Sequence, residues 1–317
     1  MISVHTLGFI MKRLAGLPLI LLGVSVLTFL LLRLVPVEPA EVILHLSNTP
    51  PTDEAIAQMR TELGMDRSLI LQFGYWLSEM CRFNFGVSYV SKLPVAHEIA
   101  EKFPVTLQLT AGALLLTLLL SVPLGILSAL YPNKPIDQLS RLLAFVGASV
   151  PRFWLSFILL YLFSMKLDWF PVQGTGTLLH LILPSFTLAF TQMAVFTRLL
   201  RSGILDQLKE PYVLYARARG LRESIIIVRH ILKIAMLPVV TALAISMGHL
   251  LAGTVMVEQI FGWPGLGRYL IESIINRDYP VIQCYALLMA LIFVFANLIV
   301  DILQRMLDPR TMMKGGS

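Results

Sequence analysis

The sequence predicts an all-α membrane protein with six transmembrane helices. Its mean hydropathy is +0.77. Only 14% of its 317 residues are charged, whereas about a quarter are charged in a typical soluble domain. Several apolar stretches also reach the roughly 20 residues that a helix needs to cross the hydrocarbon core of a bilayer. These observations together exclude a soluble globular domain.

Six stretches are long and apolar enough to form spans. They are Leu14–Leu34, Val105–Leu130, Leu139–Met165, Leu178–Thr197, Met236–Val257 and Val281–Leu303. The fourth is the weakest, because Pro184, Thr187 and Gln192 interrupt it. Neighbouring helices can satisfy the carbonyl groups that a proline frees. The first follows Lys12 and Arg13 as a signal peptide would, but its length and the lack of a cleavage site favour a retained span.

The charges between the spans predict the orientation of the chain. The loop 35–104 has five basic and nine acidic residues, whereas the stretch 198–235 has eight basic and three acidic residues. Basic residues collect on the cytoplasmic side of membrane proteins. We therefore expect 198–235 in the cytoplasm and 35–104 outside, and six spans then place both the N and C termini in the cytoplasm.

The predicted spans divide the chain into three parts. Residues 1–34 form an N-terminal segment and the first transmembrane helix. Residues 35–104 form an extracellular or periplasmic helical insertion. Residues 105–317 form a five-helix core that carries a cytoplasmic hairpin at 206–235, which we call the basic hairpin.

The insertion contains two predicted helices. Thr52 is a plausible N-cap for the first, over 53–63, and Gly64 is its expected end. The second has an apolar stripe with the helical period, formed by Leu69, Ile70, Phe73, Trp76, Leu77 and Met80. Such a helix packs on the spans or lies in the membrane interface. The alternative is a docking surface for an external partner.

The basic hairpin is predicted to have two helical arms. The first arm, 207–219, should end at Gly220, where glycine allows a left-handed cap, and the second should cover 223–235. Both arms have apolar faces: Leu208, Tyr212, Tyr215 and Ala216 on the first, and Ile226, Ile227, His230, Ile231 and Ile234 on the second. One interpretation is a solvated basic loop that only sets topology. Because an apolar face on a cytoplasmic hairpin must pack on something, the other is a docking site for a separate cytoplasmic partner.

Polar residues in the spans are candidates for a translocation path, because ionisable groups are costly inside a membrane. We select His249, Met256 and Glu258, which lie along the fifth span and at its outer end. Arg152 in the third span is expected near enough to the cytoplasmic end to extend its guanidinium into water. No HExxH or other paired-histidine spacing occurs in the sequence, so no metal site is predicted.

Other functions explain less of the sequence. The net charge of +6 is assigned to topology and not to nucleic-acid binding, because no basic soluble domain is present. Cys81 and Cys284 are far apart and predict neither a disulfide framework nor a metal site. An intramembrane enzyme would need a catalytic constellation that the sequence does not offer. A secondary transporter or channel fits six spans but leaves the basic hairpin without a purpose.

Three stretches resemble one transporter family. "YVLYARARGLRESIIIVRHILKIAMLPVVTAL" resembles the coupling segment of bacterial binding-protein-dependent ABC importer permeases of the peptide/nickel group. "FGWPGLG" resembles the extracellular loop of that family and "LDPR" its C-terminal ending. The resemblance covers nearly the whole chain. The glutamate of the general Glu-Ala-Ala motif is missing, since Leu214 stands in its place, as is also typical of the peptide/nickel group.

The resemblance implies a permease subunit in a bacterial inner (cytoplasmic) membrane. The expected partners are membrane lipid, a second permease, two ATPase subunits and an external solute-binding protein, with no nucleic acid. The sequence has no GxxxxGK[ST] motif, so this chain is expected to be no enzyme and to bind no cofactor, with ATP and Mg²⁺ held by the partner subunits. In the family the hairpin docks into a cleft on the ATPase, which implies coupling roles for Tyr212, Tyr215, Ala216, Arg217, Ala218, Gly220, Leu221, Arg222 and His230.

The resemblance also bears on the cargo. "LSNTPPT" and "NRDYPVIQC" resemble nickel permeases, and "QFGYWLSEMCRFNFGVSY" resembles permeases for metal–metallophore complexes. Nickel or a related metal chelate is therefore the expected cargo. Import of dipeptides or oligopeptides is the alternative.

Overall fold

The computed structural model describes residues 4–34, 39–46 and 49–307, where the regular structure is helical. The helices of the first half are α1 (Val4–Leu34), α2 (Pro39–Leu46), α3 (Asp53–Glu62), α4 (Leu69–Cys81), α5 (Val95–Leu130), α6 (Pro135–Ser149) and α7 (Arg152–Leu159), which continues as a π-helix over Leu160–Lys166. Those of the second half are α8 (Leu178–Gln207), α9 (Pro211–Ala218), α10 (Glu223–Ile225), a π-helix (Ile226–Ile231), α11 (Leu232–Ala235), α12 (Leu237–Ile260), α13 (Leu266–Ile275) and α14 (Tyr279–Leu307). The prediction of an all-α membrane protein is confirmed.

In the described residues, four helices are long and apolar enough to cross a membrane: Ala15–Leu34, Val95–Leu130, Leu178–Gln207 and Tyr279–Ile299. Two bent pairs would bring the number to six, namely Pro135–Ser149 with Arg152–Lys166 and Glu223–Ala235 with Leu237–Leu243. The predicted second span, Val105–Leu130, is the C-terminal part of α5, which begins ten residues earlier at Val95. The orientation in the membrane stays a prediction.

The predicted third span, Leu139–Met165, is not one continuous helix. It is broken into α6 and α7, which meet at an angle of 111°. The break lies at Val150, whose backbone is extended (φ −83°, ψ 122°). Val150 precedes Pro151, and the proline ring disfavours helical dihedrals at the residue before it.

The predicted fourth span is the most buried of the four long helices, since 56% of its most apolar stretch is buried inside the protein. This position explains why α8 is the least apolar of them. Thr187 and Gln192 are buried in α8, and Gln192 accepts a hydrogen bond from Ser246 of α12. Polar groups are tolerated there because protein, and not lipid, surrounds them.

The first of two compact units comprises the described residues of Met1–Thr106 together with Pro264–Phe295. Its core lies between the start of α5, α13 and the start of α14, and contains Val95, Ile99, Leu266, Tyr269, Val281, Cys284 and Tyr285. Beside it, buried Glu98 accepts hydrogen bonds from the Tyr269 hydroxyl at 2.6 Å and from Ser91 at 2.8 Å. Burial, and then this bond to Glu98, raises the pKa of Tyr269, so that its hydroxyl remains a donor.

The first helix of the insertion follows the sequence prediction. The apolar stripe of the second helix is packed in one part and exposed in another. The Thr52 hydroxyl accepts the Ala55 amide at 3.3 Å, and Gly64 has a φ of +65°, so both predicted ends of α3 are confirmed. In α4, Phe73 and Trp76 pack on Phe29 of α1, with ring centroids 5.3 and 6.3 Å away. Of the rest of the stripe, Leu69 and Ile70 are exposed, whereas Leu77 and Met80 are partly buried.

The second compact unit comprises Leu107–Trp263 and the described residues of Ala296–Ser317. Its core contains Ala129, Phe196, Leu200, Ile204, Val213, Ile226, Ile227, Ile231, Ala235 and Val239. Close contact between α6 and α8 depends on Gly147, because a Cβ at this position would lie 2.8 Å from Cβ of Ala194. A buried ion pair joins the same two helices: Arg201 donates to Asp137 at 2.6 and 3.0 Å.

We expect Asp137→Asn to destabilise the protein strongly. Asp137 is fully buried and Arg201 is mostly buried, so loss of the carboxylate leaves a buried cation without its partner, which typically costs about 3–5 kcal/mol. The measurement is thermal unfolding of the purified protein in detergent. The matched control is Glu272→Gln, which removes the exposed pair with Arg268 and should cost about 0–1 kcal/mol. Equal melting temperatures for the two variants would contradict the role of the pair.

Candidate functional site

The basic hairpin is the part of the chain where the sequence places the most candidate residues. Its first arm is shorter than predicted, because α8 runs to Gln207 and α9 begins only at Pro211. Proline has no amide hydrogen to donate and favours the first turn of a helix. Glu210, which precedes it, is extended at φ −72° and ψ 143°. The proline therefore separates the arm from α8.

The turn of the hairpin is the one that the sequence predicts. Gly220 has a φ of +75°, the left-handed conformation that glycine adopts at little cost. Its amide donates to the Arg217 carbonyl at 2.9 Å, and the Leu221 amide donates to the Ala216 carbonyl at 3.2 Å. These two bonds form a Schellman motif, which satisfies carbonyl groups at the end of α9. The predicted cap at Gly220 is confirmed.

The second arm covers the predicted residues 223–235, but its centre is a π-helix, Ile226–Ile231. The wider turn of a π-helix changes which residues share a face. Ile226, Ile227 and Ile231 are buried. His230 is exposed, and Ile234 is 41% exposed. The prediction that the last two lie on the apolar face is wrong, because an α-helical period was assumed.

The inner face of the hairpin packs on the protein's own helices. Val213 from the first arm and the isoleucines of the second join Phe196, Leu200 and Ile204 of α8 in one core. The chain therefore covers this face itself, so a separate partner is not needed to bury it. Val213 was missed as its anchor, because the apolar run of the first arm allowed more than one helical face.

The outer face of the hairpin carries a second apolar surface. Leu214 is 69% exposed, Tyr215 71% and Val228 62%. Tyr215 was expected on the same face as Tyr212, but only Tyr212 is partly buried. The Tyr212 hydroxyl donates to Gln207 at 3.0 Å. Burial, and then the nearby Glu210 carboxylate, raises the pKa of Tyr212.

An ion pair crosses the turn and joins the two arms. Arg217 donates to Glu223 through Nε at 2.7 Å and through Nη2 at 3.3 Å. The hydrogen bond to Glu223 raises the pKa of Arg217. This two-point contact spans the turn, but both side chains are about half-exposed, so the pair adds little stability to the turn. The predicted Ala218, Leu221 and Arg222 are exposed next to it.

The candidate path residues of α12 are in different environments. Met256 is 59% exposed, whereas Glu258 is fully buried and its carbonyl accepts the Trp263 amide at 2.8 Å. The side chain of His249 lies outside the described residues. The described residues contain no group of three or more His, Cys, Asp or Glu arranged to hold a metal ion.

The structure adds Arg152 to the candidates for the path. Arg152 is the first residue of α7, directly after the 111° bend. Its guanidinium fills the space that a side chain at Gly253 of α12 would occupy, so it points at α12 and is not extended away from the protein. It is half-buried, and no carboxylate of the described residues pairs with it. Its position could not be read from the sequence, because Gly253 lies 101 residues away.

Sequence comparison places these features in a family. Residues 121–313 match the family described as "Binding-protein-dependent transport system inner membrane component", and residues 6–110 match its N-terminal region. The chain is 41% identical over 304 residues to "Glutathione transport system permease protein GsiC" of Salmonella typhimurium, covering 96% of this chain and 98% of the relative. The protein of the same name from Escherichia coli K12 is 40% identical over 304 residues, with the same coverage of 96% and 98%.

Solved structures share the fold at low sequence identity. An amino acid ABC transporter crystallised with histidines matches with a TM-score of 0.53 and 19% identity, covering 66% of this chain and 94% of that chain. The MetNI methionine ABC transporter, in inward-facing conformations, matches with a TM-score of 0.55 and 16% identity, covering 66% and 96%. At these identities the likeness concerns the fold alone.

We expect Gly220→Val to loosen the first arm of the hairpin. A β-branched residue in the left-handed region costs about 1–2 kcal/mol, and nothing lies within 4 Å of a Cβ at this position, so the effect comes from the backbone alone. Hydrogen exchange of the amides over 211–221 should become faster. Gly220→Asn should change it little, because asparagine tolerates this conformation.

The control for this experiment is Gly176→Val. Gly176 also has a positive φ, +122°, and also has open space around a Cβ, but it lies in the loop before α8. Faster exchange in the hairpin for Gly176→Val, or no change for Gly220→Val, would show that the turn does not hold the arm.

Proposed function

This chain belongs to the family of binding-protein-dependent transport system inner membrane components, and from that premise we propose that it helps to import a small peptide-type solute such as glutathione. It is a transmembrane permease subunit of an ABC importer, a multi-pass protein of the inner membrane. ATP hydrolysis in this family belongs to separate subunits. The proposal concerns the cargo, the coupling contact and the residues that meet the cargo.

The choice of cargo rests on the relatives. Proteins named as glutathione permeases are 40–41% identical to this chain over nearly its whole length. The nickel or metal-chelate cargo expected from the sequence finds no support among them. The alternative stated with it, peptide import, is the one that they favour, because glutathione is itself a small peptide with free carboxylates.

We assign the coupling contact to the outer face of the basic hairpin. Leu214, Tyr215 and Val228 present an exposed apolar surface there, and exposed apolar patches rimmed by charge typically mark contacts with another protein. The partner is proposed to be one of two ATPase subunits, which would bind ATP and Mg²⁺. A second permease subunit and an external solute-binding protein would complete the importer.

The inner face of the hairpin provides a route for the motion. Because Ile226 and Ile231 pack without exposure against α8 residues such as Ile204, a displacement of the hairpin cannot be absorbed at that interface. Close-packed contacts transmit strain. The exposed Arg217–Glu223 pair also spans the two arms. Closure of the ATPase pair would therefore move α8, and switch the spans between inward-facing and outward-facing packings.

Arg152 is proposed to meet the cargo. A charge inside a membrane span usually marks a substrate pathway, and this guanidinium has no carboxylate partner among the described residues. A peptide carboxylate would provide one. Met256, which is exposed, stays a candidate for the path, and so does Glu258, whose side chain is fully buried in this chain.

We expect Tyr215→Ala to uncouple the importer. Truncation of an exposed aromatic anchor at an interface commonly costs about 1–2 kcal/mol, or roughly a tenfold loss of affinity. In the purified complex, stimulation of ATP hydrolysis by the loaded solute-binding protein should fall, and import into proteoliposomes should fall with it. Tyr131→Ala is the control, because Tyr131 is also exposed, 55%, but lies in the α5–α6 turn. Unchanged stimulation in Tyr215→Ala would refute the contact.

Uptake by a strain that lacks this permease tests the cargo. Restoring the gene should restore accumulation of labelled glutathione and leave nickel accumulation unchanged. Arg152→Gln should raise the KM for glutathione by about tenfold, because a hydrogen bond to a charged group contributes about 1.5–3 kcal/mol, and Arg152→Lys should retain part of the activity. Nickel accumulation that depends on the gene while glutathione uptake does not would reverse the assignment.

A further inference from the structure

A cavity of about 430 Å³ lies within the compact unit of Met1–Thr106 and Pro264–Phe295. Its walls come from the end of α1, the α3–α4 turn, α4 and the start of α14. It contains none of the residues assigned above to coupling or to the cargo path. Its lining combines aromatic rings with charged groups of both signs.

One side of the cavity is lined by hydrogen-bond donors that lack acceptors. Arg33 is half-buried, its guanidinium lies 5.1 Å from the Phe29 ring, and its Nε has no hydrogen-bond partner. The indole nitrogen of Trp76 is also buried without a partner. Tyr89 lies close enough to Arg33 for the two side chains to interact electrostatically. Burial raises the pKa of Tyr89 to about 12, so its hydroxyl carries a proton that it can donate at neutral pH. Buried donors normally have acceptors, and the two unpartnered donors of Arg33 and Trp76, together with the partly buried Tyr89 hydroxyl, suit an anionic oxygen group.

The charged residues of the lining are Arg33, Arg67, Glu62 and Glu79. Glu79 already pairs with Arg82 at 3.4 Å and accepts from Asn84 at 2.6 Å, so Glu62 is the carboxylate more available to a ligand. Buried Oε1 of Gln72 is an acceptor without a partner on the same wall, because its amide nitrogen is turned to the carbonyl groups of Met65 and Arg67. The cavity therefore suits a ligand with one anionic and one ammonium group better than a ligand with net negative charge.

The surroundings of the cavity are apolar. Arg33 is the penultimate residue of the long apolar helix α1, whose Leu30 and Leu31 are 47% and 54% exposed. Ile70 of α4 is 83% exposed on the other side. The charge pattern predicts that this end of α1 faces the outer side of the membrane. A polar cavity at the end of a span, flanked by exposed apolar surface, matches the boundary where lipid head groups meet acyl chains.

We propose that this cavity binds the zwitterionic head group of a membrane phospholipid, of the phosphoethanolamine type. The phosphate is held by Arg33, Trp76 and Tyr89, and the ammonium group lies toward Glu62 and Glu79. The acyl chains cover the exposed apolar surface of α1 and α4. A free peptide carries the same two charges, but it has no chains to cover Leu30, Leu31 or Ile70. The lipid would hold the helical insertion at the membrane surface.

The experiment is lipid titration of the delipidated importer complex, followed by native mass spectrometry. Phosphatidylethanolamine should bind more tightly than phosphatidylglycerol of the same acyl chains, which lacks the ammonium group. Arg33→Gln and Trp76→Phe should each weaken phosphatidylethanolamine binding by about tenfold, since charge-assisted hydrogen bonds are among the strong ones. Arg33→Lys should restore part of the affinity.

Matched controls separate this site from general lipid binding. Arg13→Gln changes an exposed arginine at the opposite end of the same helix, and Trp169→Phe changes an exposed tryptophan of the other unit. Both should leave the affinity unchanged. If the Arg33 variant fails to assemble, a photoactivatable phosphatidylethanolamine added to the unaltered complex should label α1 or α4 near the cavity. Labelling confined to other helices would refute the proposal.

Competition with glutathione distinguishes the two sources of a zwitterion. Excess glutathione should not displace the bound lipid, and glutathione should show no Arg33-dependent binding to the delipidated complex. Displacement, or Arg33-dependent binding of glutathione, would overturn the lipid assignment. Equal affinity for phosphatidylglycerol, or no effect of either Arg33→Gln or Trp76→Phe, would overturn it as well.

Discussion

The packing of the hairpin isoleucines against α8 is the contact on which the rest of the functional interpretation depends. Ile226 and Ile231 have no exposed surface, and their neighbours Ile204 and Leu200 have almost none. Burying each such side chain contributes about 1.5–3 kcal/mol relative to leaving it in water. A basic segment that would otherwise be a solvated loop therefore becomes a rigid extension of the most buried of the long helices. A force applied to the hairpin reaches the membrane-spanning part of the chain without an intervening flexible joint.

This contact leaves the hairpin with two apolar faces of different purpose. The inner face is satisfied within the chain, whereas the outer face, around Tyr215, is not covered by any described residue. The Gly220 turn links the two arms, and the exposed Arg217–Glu223 pair spans it. Together with the packing of the inner face, the turn decides which side chains the outer face presents. The ATPase-binding role implied by the family is consistent with the outer face, and the stiffness of the hairpin comes from the inner one.

The bend at Val150 and Pro151 has a comparable effect on the third membrane segment. It ends α6 and starts a new helix at Arg152, whose guanidinium then lies over Gly253. The absence of a side chain at Gly253 leaves room for the charge beside α12. A cation in this position is unfavourable without a counter-charge, and for this reason we propose an anionic cargo as its partner. The cavity beside Arg33, at the end of α1, likewise has an arginine without a partner at its Nε, for which we propose a lipid phosphate.

Much of this protein could be predicted from its sequence. Composition and the length of the apolar runs determine an all-helical membrane protein, because the bilayer admits few other backbone arrangements. Local chemistry determines the Thr52 cap, the Gly64 end and the Gly220 turn, since each depends only on residues within a few positions. The family followed from motifs that are local in the same sense.

Only the tertiary structure decided which face of each element is covered. A π-helix at Ile226–Ile231 turns His230 outward. Its turn is wider than that of an α-helix, so a prediction that assumes the α-helical period places these side chains on the wrong face. The burial of α8, the contact of Arg152 with Gly253 and the cavity at Arg33 all join residues that are far apart in the chain. Sequence spacing predicts neighbours along one helix, whereas burial and charge pairing depend on which helices meet, and that is determined by packing of the whole chain.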